Sequence, residues 1–278
     1  MQERITLGLE GDVNLIQSRL YNHPECVFPI TIFRENADAV TYIDFPVSDD
    51  LFVLDRYLNV VAEYIIDRYE NRMLKRILEE QHKDLSVVAK REILKNTETC
   101  SDDPELGYEA RKQTILLSVY DYLKEDGTLF LDGFVAFRLK DYENLLERLC
   151  QRLREQYFTR REYEDFISLL RYFVNISQAR PDFIHIVVHP AGGYNLIDES
   201  GKDVTASCFS EFLEGEILLT EEAYDDLLIS VLITLAPKNI IFHGRKNMRN
   251  RELYHTISRV FDGKVTDCPG CDICPGSE

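Results

Sequence analysis

The chain has 278 residues, 45% hydrophobic and 29% charged, with a formal net charge of −17 at pH 7. That length can bury one large core or two modest ones. So acidic a surface repels phosphate backbones and anionic headgroups, which argues against nucleic-acid binding and electrostatic docking on membranes.

The opening residues Met1–Glu10 are polar and of mixed charge, unlike a secretory signal. Within them Ile5–Leu9 predicts a strand, and Gly11–Tyr21 carries Val13, Leu15, Ile16 and Leu20 at helical spacing. Val27–Phe33 and Ala39–Phe45 are β-rich and flank Glu35-Asn36-Ala37-Asp38, a hairpin signal because Asn and Asp tolerate turn conformations. Residues 1–47 therefore read as a β-α-β-β unit.

Residues 48–180 read as helical. Leu54, Leu58, Val61, Ile65, Tyr69, Met73 and Ile77 form one apolar stripe on a long helix. Further helices are expected over Leu85–Lys95 and Tyr108–Leu123, with the polar stretch Asn96–Gly107 as an exposed connection. Tyr142, Leu145, Leu149, Leu153 and Tyr157 mark a fourth helix. Thr159 and Glu162 form a capping-box pattern for a fifth, which carries Tyr163, Phe166, Ile167, Leu170 and Phe173. The segment Asp132–Tyr142 reads as a strand or as the start of the fourth helix, with its aromatics in the core and Arg138 and Lys140 on the surface.

After Pro181 the period shortens again. Phe183–His189 predicts a strand, and Ala191-Gly192-Gly193 reads as a hairpin turn in preference to a phosphate loop. Tyr194–Ile197 and Lys202–Thr205 flank a second turn at Asp198-Glu199-Ser200-Gly201. Thr220 caps a helix with Glu221 and Glu222 in its first turn, where the helix dipole favours acid; Pro237 stops it. Its apolar run Leu227–Pro237 is about half a membrane span, so no span is expected. Asn239–His243, Asn250–Phe261 and Lys264–Asp267 read as strand, helix and strand, a βαβ unit with parallel strands. The expected class is α+β: a β-α-β-β unit (1–47), a helical region (48–180) and a C-terminal α/β unit with a parallel βαβ pair (181–278).

The chain lacks a P-loop, a Gly-x-Gly-x-x-Gly after a strand, a Gly-x-Ser-x-Gly and a His-Glu-x-x-His. No catalytic residues are assigned. The strongest chemical signal is Cys268-Pro269-Gly270-Cys271-Asp272-Ile273-Cys274, two interlocked Cys-x-x-Cys steps that suit zinc or an iron–sulfur cluster. Seven cysteines, an odd number, do not suit a disulfide framework, and Cys26, Cys100, Cys150 and Cys208 are expected to be unpaired. Three thiolates leave a tetrahedral ion one donor short. Parallel strands finish at one edge of a sheet, so His243 and Cys268 are expected side by side, with His243 as fourth ligand. His189 would join them if its strand is parallel too. His255 is the alternative for zinc and Cys208 the alternative for a four-iron cluster. The spacing resembles the first three ligands of a bacterial ferredoxin motif, but the fourth cysteine is missing. His23, His82 and His185 read as structural or exposed. Arg245, Lys246, Arg249 and Arg251 read as a solvated helix start in preference to a functional basic patch.

The stretches Asp132-Gly133-Phe134-Val135-Ala136-Phe137-Arg138-Leu139-Lys140-Asp141-Tyr142 and Arg161-Glu162-Tyr163-Glu164-Asp165-Phe166-Ile167, with a final strand running into the three cysteines, resemble the YtxC-like family of sporulation proteins from endospore-forming Gram-positive bacteria. The resemblance implies a cytoplasmic bacterial protein linked to spore formation. It implies no reaction and assigns no residue. The functional expectation is a non-enzymatic protein with a protein partner and a metal-binding tail. The alternatives are an iron–sulfur or thiol redox enzyme and a scaffold with an unmetallated tail.

Overall fold

Strand β1 (Arg4–Glu10) points Ile5, Leu7 and Leu9 to one buried face, the period of two that its sequence carries. It belongs to a computed structural model that describes residues 4–10, 14–22, 30–34, 40–46, 51–100, 102–125, 127–177, 181–210 and 221–274. The chain divides into an N-terminal unit, 1–159, and a C-terminal unit, 160–278. Both contain helices and a small mixed sheet, so the class is α+β.

In the N-terminal unit, α1 (Asn14–Asn22) buries Ile16 and Leu20. Strands β2 (Thr31–Phe33) and β3 (Val40–Pro46) pair antiparallel, and β3 pairs antiparallel with β1, setting Ile43 opposite Leu7. The turn expected at Glu35–Asp38 lies outside the described residues. Helix α2 (Leu51–Ile65) continues through a π-helical turn, Ile66–Glu70, into α3 (Asn71–Gln81). The predicted stripe is buried from Leu58 to Ile77. Helices α4 (Val87–Lys95) and α5 (Tyr108–Glu125) stand where expected. The connection between them is less exposed than its polarity suggests: it buries Cys100 and Leu106.

A fourth strand, β4 (Thr128–Phe130), runs parallel to β1 and completes the order β2-β3-β1-β4. Three residues are too few to show an alternation, so periodicity could not reveal it. After it come α6 (Leu131–Phe137) and α7 (Lys140–Ile176). Asp132–Tyr142 is thus neither a strand nor one helix start, but a short helix and a new beginning. Phe134 and Tyr142 are buried as expected; Phe137, the last residue of α6, is 84% exposed.

The expected fourth and fifth helices are one. Thr159 and Glu162 do not cap a helix start, because no Gly or Pro near them breaks the hydrogen-bond ladder of α7. Leu145, Leu149 and Leu153 of α7 join the N-terminal core; Ile167, Leu170 and Val174 join the C-terminal core. Phe166 and Phe173 fall on a neighbouring stripe and are partly exposed.

In the C-terminal unit, β5 (Phe183–Val188) and β6 (Tyr194–Asp198) form an antiparallel hairpin. Gly192 and Gly193, at φ of 99° and 85°, make its turn, as the sequence suggests. Lys202–Thr205 does not form a further strand. Only Asp203 bridges to Ile197, and its carboxylate then accepts the Thr205 amide, which turns the chain into α8 (Thr205–Ser210). Helix α9 (Glu221–Leu235) follows; Thr220 lies outside the described residues. Strand β7 (Asn239–His243), helix α10 (Arg251–Val260) and strand β8 (Val265–Asp267) form the βαβ unit. The sheet order is β6-β5-β7-β8, with β5, β7 and β8 mutually parallel. Ile186, Leu228, Ile240, Phe242 and Ile257 fill the core around it. No helix among the described residues is long and apolar enough to cross a membrane.

Asn250 caps α10. Its side-chain oxygen accepts the Glu252 and Leu253 amides, and its amide nitrogen donates to Asp225. Helix α10 is the crossover between β7 and β8. Asn250→Ala is expected to lower the stability of the C-terminal unit by about 1–2 kcal/mol in urea titration; an unchanged midpoint would show that the cap is dispensable.

Candidate metal centre

Strands β7 and β8 leave the sheet at the same edge, because Phe242 is in register with Asp267. His243 therefore ends one strand beside Cys268, which follows the other. The Cys268 amide donates to the Phe242 carbonyl at 2.8 Å, extending the pairing by one step. Two glycines then bend the chain. Gly244, at φ 68°, turns the backbone away after His243, and Gly270, at φ 132°, turns the tail. The Cys274 amide donates to the Cys271 carbonyl at 2.9 Å and folds the tail back on itself.

One ligand atom from each of His243, Cys268, Cys271 and Cys274 lies within 4.8 Å of all the others, and the group could hold a metal ion. The His243 Nδ1 stands 3.4 Å from the Cys271 Sγ and 3.6 Å from the Cys274 Sγ. The sulfurs of Cys274 and Cys268 are 3.8 Å apart. The Gly270 amide points at the Cys268 sulfur at 3.4 Å. His243 is buried; the cysteines are partly exposed.

The electrostatics suit ligation. Burial, and then the neighbouring His185, hold the His243 pKa below its ordinary value, which favours the neutral imidazole that binds metals. Hydrogen bonding from the Cys271 backbone, with further help from the Cys268 and Cys271 side chains and the Gly244 backbone, lowers the Cys274 thiol. The Gly270 amide favours the Cys268 thiolate, but burial and the adjacent Cys271 and Cys274 outweigh it and raise that thiol.

The other candidates lie elsewhere. β5 is parallel to β7, yet His189 does not join the group: it sits past the strand end and its Nε2 bonds to Asn195 Oδ1 at 2.8 Å, on the β6 side of β5. There it borders a cleft of about 1180 Å³ with Tyr194, Asp225 and Asn250. His255 is exposed on α10, beside the ring of Tyr254. Cys208, on α8, packs against the C-terminal core. Cys100, Cys150 and Cys208 form no disulfide, and Cys26 is outside the described residues. Burial, with smaller contributions from Glu147 and Glu70, pushes the Cys150 thiol up to about 12, which leaves it protonated and inert. In the basic run, Arg245 pairs with Asp267 at 2.5 Å and lies over the Tyr254 ring at 3.8 Å.

His185 is the residue that sequence reasoning missed. Its Nδ1 is 2.9 Å from the Nε2 of His243, on the side of the ring away from the cysteines. The clue was available: Val187 is in register with His243, so His185, two residues earlier, shares that face. Using it required knowing that β5 and β7 are neighbours.

Fold and site together define an α+β protein with a three-cysteine, one-histidine group where the parallel strands β7 and β8 of a mixed sheet finish. The model of the YtxC-like family matches residues 56–266, and the chain belongs to that family. The chain is also 22% identical over 240 residues to the "Uncharacterized protein YtxC" of Bacillus subtilis (strain 168), covering 84% of this chain and 83% of that protein. No solved structure matches the chain.

Proposed function

We propose that His243, Cys268, Cys271 and Cys274 hold one zinc ion, and that this closed site fixes the C-terminal tail to the sheet edge as part of a protein-binding surface. The spacing of the donor atoms carries the reading. A tetrahedral zinc with bonds of about 2.3 Å to sulfur and about 2.0 Å to nitrogen has sulfur–sulfur edges of about 3.8 Å and sulfur–nitrogen edges of about 3.5 Å. Three of the six separations here are 3.8 Å, 3.4 Å and 3.6 Å, and all lie within 4.8 Å. In a four-iron cluster each thiolate binds its own iron, which requires a wider spread of sulfurs. Four protein donors also leave no open position for a substrate at the ion, so the ion is structural and not catalytic.

Protein purified without oxygen is expected to carry one zinc per chain and to be colourless. The broad visible absorption of an iron–sulfur cluster, or the absence of any metal, would overturn the assignment.

The setting proposed is the bacterial cytoplasm, where thiols stay reduced, and spore formation. It is supported by the resemblance of Asp132–Tyr142 and Arg161–Ile167 to the family. A strain carrying Cys271→Ser is expected to yield fewer heat-resistant spores than its parent; equal counts would remove the link between site and sporulation.

A further inference from the structure

We infer that His185 is a positioning residue of the zinc site, committing His243 to bind through Nδ1; the inference rests on the zinc reading above. A histidine nitrogen must be unprotonated to bind a metal, and its other nitrogen then carries the proton. Only Nδ1 of His243 faces the sulfurs, at 3.4 Å and 3.6 Å. The proton is therefore on Nε2, which donates to His185 Nδ1 across 2.9 Å. His185 must in turn carry its own proton on Nε2. One hydrogen bond sets both tautomers and the rotation of the ligand ring.

The sheet builds this arrangement. Strand β5 lies beside β7 with Val187 opposite His243, which places His185 diagonally behind the ligand ring. The two rings are tilted by 38° with centroids 5.1 Å apart, so the contact is made edge to edge through nitrogen and not by stacking. His243 is only 2% exposed. Without His185, its buried Nε2 loses its acceptor, and the ring loses the restraint that keeps Nδ1 toward the cysteines.

A hydrogen-bond partner on the far nitrogen of a ligand histidine typically contributes 10- to 100-fold in metal affinity. His185→Leu is expected to weaken zinc binding by about that factor, measured by competition with a chromophoric chelator. His185→Asn places an amide oxygen near the lost Nδ1 and is expected to recover most of the affinity. Cadmium-loaded wild-type protein is expected to show one-bond cadmium–nitrogen coupling to Nδ1 of His243. Coupling to Nε2, or unchanged affinity in His185→Leu, would overturn the role of His185 and leave the metal site standing. Failure to bind either zinc or cadmium would overturn both. The wild-type spectrum decides the question even if the leucine variant does not fold.

Discussion

Cys271→Ser, or removal of zinc by a chelator, is expected to destabilise the C-terminal unit more than any other change near its surface. The two strands that lead to the four donor residues differ in their own support. β7 is central, with Ile240 and Phe242 in the core, whereas β8 is a three-residue edge strand with only Val265 partly buried. A zinc ion held at this site would bind the folded arrangement more tightly than the separated residues, so its affinity would add to folding stability. At a free ion concentration 1,000 times the dissociation constant, that linkage is worth about 4 kcal/mol. For a unit of this size the loss corresponds to a drop in Tm on the order of 10–20 °C. Calorimetry with and without chelator measures it, and hydrogen exchange should locate the loosening at β8 and residues 268–274. Protons compete with zinc for the thiolates, so the stabilisation should also fall as pH is lowered. Identical melting of wild type, chelated protein and Cys271→Ser would refute the structural role.

The largest expected effect in the N-terminal unit concerns a buried ion pair. Glu70 and Arg111 are only 8% and 5% exposed. The Arg111 Nε donates to Glu70 Oε2 at 2.9 Å, its Nη1 donates to the Leu106 carbonyl at 2.7 Å, and the Tyr142 hydroxyl also donates to Glu70 Oε2. Burial, together with Glu70, raises the Tyr142 pKa far above its ordinary value, so that hydroxyl keeps its proton and remains a donor. Glu70 ends the π-helical turn between α2 and α3.

Arg111→Met leaves the carboxylate buried without its cation and is expected to cost about 3–5 kcal/mol in urea titration. The double variant Glu70→Met with Arg111→Met removes both charges and should recover much of that loss. If the double variant is as unstable as the sum of the singles, the two groups are not coupled. With the Tyr142 hydroxyl, the pair ties the π-helical turn to α5 and α7.

Much of this fold was legible from spacing. Strands β1, β5 and β7 announced themselves by alternating or continuous apolar residues, and α10 by the row Leu253, Ile257 and Phe261. Where the reading failed, a local signal met a stronger non-local one. The Thr159–Glu162 box is a helix start only if the chain has stopped before it, and nothing stops α7. Lys202–Thr205 has strand-like residues but no second partner beyond one bridge. β4 is too short to signal at all, and exists because β1 offers it a free edge.

The three cysteines, as a group that could hold a soft metal ion, were legible in the sequence, because thiol spacing alone restricts what they can bind. Even the match of His243 to Cys268 followed from the βαβ unit, since a crossover helix makes the two strands parallel and brings their ends to one edge. What the order of residues could not decide was which other side chains share that edge. His189 was a candidate only if its strand ran parallel to β7; that strand is parallel, yet His189 bonds toward β6, while His185 stands behind the His243 ring. Those outcomes depend on sheet order and register, which pairing across the whole C-terminal unit determines and no local spacing contains.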